Sequence, residues 1–355
     1  MSVLALARPD IRAMEPYSSA RMEASGGAVL LNANESPWPP PDDGGLGLNR
    51  YPEPQPAVLT DALAALLGVG RDQILVGRGS DEAIDLLTRA FCRAGEDAVV
   101  VMPPTFGMYA VCARIQGARV IEVPLDEDFA VNVDAVEAAA AEGVKLVFVC
   151  SPNNPSGGLV PREFITRWAA ALAGRALLVV DEAYIEFAGA PSCTDLLARH
   201  ENLAILRTLS KAWSLAGARI GALIASPEIV ALLRRIMPPY PLPTPSIRAA
   251  VATLSPAGRA RMAEQVAAIV RERDRVASRL QAMSGVARVL PSRANFIAFR
   301  HRDAARAYAH LAANDVLLRD IGRYRGLAGC LRLSIGSPED NERALALLAG
   351  LAGSA

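Results

Sequence analysis

The chain has 355 residues, with 37 Lys+Arg against 37 Asp+Glu, so at zero formal net charge no global field draws it to nucleic acid or an anionic membrane. Hydrophobic residues make up 52% of it, yet apolar runs such as Ala176 to Val180 fall far short of the ~20 residues a membrane-spanning helix needs. The cysteines, Cys92, Cys112, Cys150, Cys193 and Cys330, are scattered and never in C-x-x-C spacing, which suggests neither a disulfide framework nor a zinc site.

The start, MSVLALARPDIR, has a short apolar stretch broken by Arg8 and Asp10. A secretory h-region needs roughly 7–15 residues, so cytoplasmic residence is expected. The first forty or so residues are rich in Pro and Gly and read as irregular, with 1–30 forming an arm on the body or on a partner subunit. From about residue 70 to 225, short apolar runs (QILV, AVVVM, ARVIEV, KLVFVC, ALLVVDE, NLAILR, RIGALIA) alternate with amphipathic stretches. This is the α/β rhythm of a mostly parallel sheet with helices on both faces. Ligands in such folds sit beyond the carboxyl ends of the strands, where the polar clusters of this chain fall.

GRGSDEAI follows QILV and opens a helix, so the backbone N–H groups of Ser80 and Asp81 suit an anion, although an Asp or Ser there also reads as a plain N-cap. Glu82 stands where a dinucleotide fingerprint needs glycine. PPTFGMY then places Phe106 and Tyr109 at a helix start, as a stacking aromatic or as core contacts. SPNNPSGG is a tight turn after KLVFVC, from which Asn154 can donate a side-chain hydrogen bond. Asp181 ends the buried run of ALLVVDEAY, and a carboxylate there needs a cation or strong donors unless it only caps a turn. Tyr184 lies three residues on.

The segment TLSKAWSLAGARIG brings a hydroxyl, an amine and a guanidinium together at Ser210, Lys211 and Arg219. Hydroxyl and guanidinium bind phosphate, and an amine can form an imine with an aldehyde. Only Lys145 and Lys211 among the 37 basic residues are lysines, leaving 35 arginines. A guanidinium can neither deprotonate at neutral pH nor form an imine, so a retained lysine marks a need for an amine. Lys145 reads as a solvated charge in front of a strand, whereas Lys211 has the more unusual neighbours.

The proline-rich PPYPLPTP reads as a linker between a large domain, 31–244, and a small C-terminal α+β domain, 245–355. A long helical stretch from Pro245 to Met283 is expected there, followed by strand-like VARVL, NFIAF, VLLR and CLRLSIG. The histidines, His200, His301 and His310, lie outside every cluster, and no G-x-S-x-G or H-E-x-x-H occurs, which leaves hydrolase triads and zinc catalysis without their parts.

Taken in order, LNANESP, RYPEPQP, RGSDEAIDLL, PPTFGMY, SPNNPSG, DEAYIEF, RTLSKAWSLAGARIG and GCLRLSIG resemble fold-type-I aminotransferases of the histidinol-phosphate aminotransferase family, from about residue 17 to 340. The resemblance implies a mostly parallel seven-stranded sheet sandwiched by helices, a smaller α+β domain, and pyridoxal 5'-phosphate as cofactor. It implies that Lys211 carries the cofactor as a Schiff base and moves the proton. Asp181 would partner the pyridine nitrogen, Tyr184 and Asn154 the phenolic oxygen, and Phe106 would stack on the ring. Ser80, Asp81, Ser210 and Arg219 would hold the phosphate, joined in a homodimer by Tyr51 from the neighbouring subunit. Arg332 would bind the glutamate carboxylate, and Tyr17 and Arg319 the phosphate end of histidinol phosphate. Trp213 stands where phenylalanine is common. The implied reaction interconverts histidinol phosphate plus 2-oxoglutarate with imidazole-acetol phosphate plus glutamate. An aromatic amino-acid aminotransferase, a decarboxylase of a phosphorylated amino acid, and a non-catalytic sensor module are the alternatives, the last weakened by the lack of DNA-binding helices.

Overall fold

The computed structural model describes residues 2–18, 29–140 and 143–351, so the arm expected over 1–30 lies partly, at 19–28, outside the described residues. A seven-stranded sheet has the order β1-β7-β6-β5-β4-β2-β3. Its strands are β1 (Ile74–Gly77), β2 (Ala98–Val101), β3 (Arg119–Glu122), β4 (Val144–Cys150), β5 (Leu177–Asp181), β6 (Leu203–Thr208) and β7 (Gly221–Ala225). The central pairs are parallel, and only β7 runs against its neighbours, pairing antiparallel with both β6 and β1.

The continuous apolar runs follow from burial on both faces. Val147 and Val149 of β4, with Leu178 and Val180 of β5, join one hydrophobic cluster, while Leu146, Phe148, Leu177 and Val179 join the other. Side chains alternate across a strand, so a strand covered on both sides must be apolar at every position. Asp181 is the exception at the carboxyl end of β5, buried at 3% exposure.

A second, antiparallel sheet has the order β10-β11-β9-β8, from β8 (Val286–Val289), β9 (Phe296–His301), β10 (Arg319–Asp320) and β11 (Cys330–Ser334). Three expectations change in detail. The long helix breaks into Thr244–Thr253 and Pro256–Gln281, because Ser255 Oγ accepts from Gly258 N and Pro256 starts a new helix at its first position. Of VLLR only Arg319 joins a ladder. The opening residues are not wholly irregular: Val3–Leu6 forms a 3-10 turn capped by Ser2, Pro9–Ala13 is a short helix, and Val3 and Leu6 are buried.

All five cysteines are buried and unbridged. Among the described residues no helix is long and apolar enough to cross a membrane, and no cluster of His, Cys, Asp and Glu could hold a metal.

Candidate active site

The carboxyl ends of β4, β5 and β6 open on a cavity of about 260 Å³ that also takes in the start of the helix Ser80–Phe91. Its lining brings together Ser80, Asp81, Phe106, Asn154, Asp181, Tyr184, Ser210, Lys211, Arg219 and Arg332, which the sequence places as far apart as residues 80 and 332.

At one side lies Asp181. Tyr109 Oη donates to its Oδ2 at 2.8 Å and Ala183 N to its Oδ1 at 3.1 Å. Burial is the dominant influence and pushes its pKa up to about 6, the hydrogen bond from Tyr109 opposing. Among the described residues no cation makes an ion pair with it, so a positive group in the cavity would be strongly favoured there.

Another part of the lining suits an anion. Gly79, at φ +89°, leads into the helix without any side-chain cap, so the first-turn N–H groups remain as donors. Arg219, itself in the left-handed region, holds its Nη2 3.3 Å from Asp81 Oδ2. Gly221 lets β7 pass close to this turn, since a Cβ there would lie 2.5 Å from Gly79 C and Ser80 N. Ser210 is set by its own N–H, which donates to Thr208 Oγ1 at 3.1 Å.

Lys211 opens on the cavity, with Nζ 5.6 Å from the Tyr184 ring centroid. The residue as a whole is exposed, as a group that meets incoming molecules has to be, but partial desolvation of the amine, helped by Arg332, lowers its pKa. Tyr184 is buried with its hydroxyl pKa raised by that burial, and its ring packs edge-on to Phe296 at 5.3 Å. Asn153 ties the 151–158 turn to Pro104 O, Thr105 and Ser156, which leaves the neighbouring Asn154 to the cavity. Asn154 Oδ1 accepts from Arg332 Nη1, so its amide N–H₂ is left to donate inward. The Arg332 guanidinium lies 5.1 Å over the Phe296 ring, and its Nε is buried without a partner, a donor edge ready for a carboxylate.

The structure leaves three predicted residues outside this cavity. Arg319 is exposed but stands opposite Arg332 in the β10–β11 ladder. Tyr17 is 67% exposed. Tyr51 is half exposed and stacks on Tyr240 at 4.4 Å. Conversely, reading the sequence missed Thr208, Phe296 and the bond from Tyr109 to Asp181. The signal for Tyr109 was available, because a tyrosine on a buried helix face needs a partner for its hydroxyl.

The model of the family "aminotransferase class I and II" matches residues 42–348. A histidinol-phosphate aminotransferase of Stenotrophomonas maltophilia (strain R551-3) is 54% identical over 350 residues, covering 98% of this chain and 96% of the relative. One from Xanthomonas euvesicatoria pv. vesicatoria (strain 85-10) is 49% identical, covering 98% and 97%. Among solved structures, histidinol-phosphate aminotransferase from Sinorhizobium meliloti in complex with pyridoxal-5'-phosphate is similar at TM-score 0.79 and 28% identity, covering 88% of this chain and 85% of that one. The Clostridium acetobutylicum enzyme shares the fold at TM-score 0.80 and 24% identity, covering 88% and 94%. Matched along nearly its whole length, the chain belongs to the class I and II aminotransferases and, within them, to the histidinol-phosphate aminotransferase family.

Proposed function

We propose that this chain is a pyridoxal-phosphate-dependent transaminase that moves an amino group between L-histidinol phosphate and 2-oxoglutarate, yielding imidazole-acetol phosphate and L-glutamate. The observation that carries the reading is one cavity lined by a buried carboxylate without a protein cation, an uncapped helix start beside Arg219, and Lys211. Those three features match a cationic ring nitrogen, a phosphate and an aldehyde. Relatives of that activity at 49% and 54% identity support the choice of substrates.

When bound, the cofactor supplies an aldehyde that captures amines and an electron-poor ring that spreads negative charge from the reacting carbon. Lys211 Nζ holds the aldehyde between turnovers and then carries the proton to and from the substrate carbon; a lowered pKa favours the neutral amine both tasks need. Asp181 keeps a proton on the ring nitrogen, which its burial makes worthwhile only when it faces a cation. Tyr184 and the amide of Asn154 orient the phenolic oxygen, and Phe106 covers a ring face. Ser80, Ser210, Arg219 and the backbone N–H of Asp81 hold the phosphate, while the Asp81 carboxylate steadies Arg219. Arg332 takes the carboxylate of glutamate, and Arg319 and Tyr17 the phosphate of the other substrate.

The reading includes a cytoplasmic homodimer in which Tyr51 of the partner subunit completes the phosphate site. In its support, residues 29–56 form no helix or strand and leave the apolar side chains of Val29, Leu31 and Trp38 more than 70% exposed, where a second copy could cover them. It also keeps the division into an arm (1–30), a large domain (31–244) and a small domain (245–355). The test is an assay of histidinol phosphate with 2-oxoglutarate beside phenylalanine with 2-oxoglutarate. Faster turnover of phenylalanine, or release of carbon dioxide without consumption of the keto acid, would overturn the assignment.

A further inference from the structure

We infer that Tyr109 is a positioning residue of the cofactor site, whose buried hydroxyl fixes the Asp181 carboxylate in place and in its charged form. The inference rests on the cavity being a pyridoxal-phosphate site, and goes beyond it in giving a task to a residue that does not line that cavity.

Tyr109 lies on the helix Met108–Gln116, remote in sequence from β5, and is fully buried. Its ring is clamped by stacking on Phe148 (centroids 4.8 Å, planes 4° apart) and by the edge of Phe106 (5.6 Å, 81°). Held that way, the hydroxyl has little freedom, and it sits 2.8 Å from Asp181 Oδ2. Burial and the nearby Asp181 charge raise the pKa of Tyr109 well above the ordinary value, so the group stays a donor. With Ala183 N on Oδ1, each carboxylate oxygen has one fixed donor and keeps acceptor capacity for a third group arriving from the cavity.

The other groups around Asp181 do not replace this bond. Cys150, opposite it on β4, has its thiol pushed up to about 12 by burial and stays neutral. Tyr184 is likewise held neutral by burial. Asp81 from the helix start and Glu182 from the same strand end both oppose a second negative charge. Lys211 favours the charge only while protonated, and its own surroundings push it toward the neutral form. The hydrogen bond from Tyr109 is the foremost influence opposing the burial that pushes Asp181 up to about 6. A neutral Asp181 could not keep a proton on a ring nitrogen, and a mobile one would meet that nitrogen at the wrong angle.

The test compares the wild type, Tyr109→Phe and Leu233→Ala, measuring the dissociation constant for pyridoxal phosphate by equilibrium dialysis from pH 5 to 9, beside the melting temperature of each cofactor-free protein. Wild-type affinity is expected to fall as pH drops through about 6. Tyr109→Phe should bind about tenfold more weakly near neutrality and lose affinity about one pH unit higher, with a melting temperature close to wild type. Leu233→Ala, which opens a core cavity beside the helix Pro227–Arg234 and leaves the clamp and the hydroxyl intact, should lower the melting temperature and leave the midpoint where it was. An unchanged midpoint in Tyr109→Phe overturns the proposal, even if affinity falls uniformly, and so does an equal midpoint shift in Leu233→Ala. A wild type that binds no pyridoxal phosphate at any pH would instead sink the reading of the cavity itself.

Discussion

Arg319 and Arg332 stand directly opposite each other in the β10–β11 ladder. Facing residues in a ladder share a face of the sheet, so two like charges leave it on the same side, a pairing that is destabilising unless an anion offsets it. Arg332 is drawn toward the cavity by Asn154, while Arg319 remains at the exposed rim. Arg319→Gln is therefore expected to raise KM for histidinol phosphate by about tenfold, leaving KM for glutamate within about twofold. Steady-state kinetics with each substrate varied in turn checks this, and an equal effect on both KM values would refute a selective role.

Lys211→Ala should abolish turnover together with the visible absorbance of the loaded enzyme. Lys211→Arg should be just as inactive, because a guanidinium retains the charge but cannot offer a neutral nitrogen. The measurement is an absorption spectrum beside the transamination assay, and measurable steady turnover by either variant contradicts the assigned chemistry.

Asp181 carries a pH-dependent cost. Its folded pKa, about 6, lies above the ordinary 3.8, so the stability it contributes is complete below about pH 3.8 and lost as pH rises through 6. In cofactor-free protein, Asp181→Asn is expected to be more stable than wild type by about 1–2 kcal/mol at pH 8, allowing for one weakened hydrogen bond. That gap should close as pH falls toward 4. Urea unfolding at the two pH values reads it out; the same variant should bind pyridoxal phosphate at least tenfold more weakly.

Gly221→Ala forces a methyl group to within 2.5 Å of the Gly79 and Ser80 backbone, where no flexible side chain can yield. The expected outcome is a loss of about 1–3 kcal/mol of stability and weaker binding of inorganic phosphate and of pyridoxal phosphate alike. Thermal melts with and without each ligand test it.

Much of this molecule is readable from the chain because its chemistry sits at the ends of strands that are apolar throughout. Asp181 stands out against LLVV, and Lys211 against a background of arginine. Phe296 and Thr208 do not stand out, since a phenylalanine within NFIAF and a threonine closing a strand look like ordinary sheet residues. Their relation to Arg332, Tyr184 and Ser210 exists only once two distant segments meet. The helix break at Ser255 was visible as a Ser-Pro pair, but the Arg- and Ala-rich, helix-favouring composition on both sides masked it. Tyr51 is a different case, because no single chain places it at the cavity it is expected to serve.

The reversed direction of β7 has a mechanical consequence. Because β6 and β7 are antiparallel, the chain leaves and re-enters the sheet at one end, and residues 209–220 form the whole excursion, carrying the amine outward and the guanidinium back. A parallel crossover would contain a long helix able to take up slack, whereas this link holds only a three-residue 3-10 turn, Ala216–Ala218. Adding or deleting even one residue there would translate directly into the spacing between the Lys211 amine and the Arg219 guanidinium, which leaves this stretch little tolerance for a change of length.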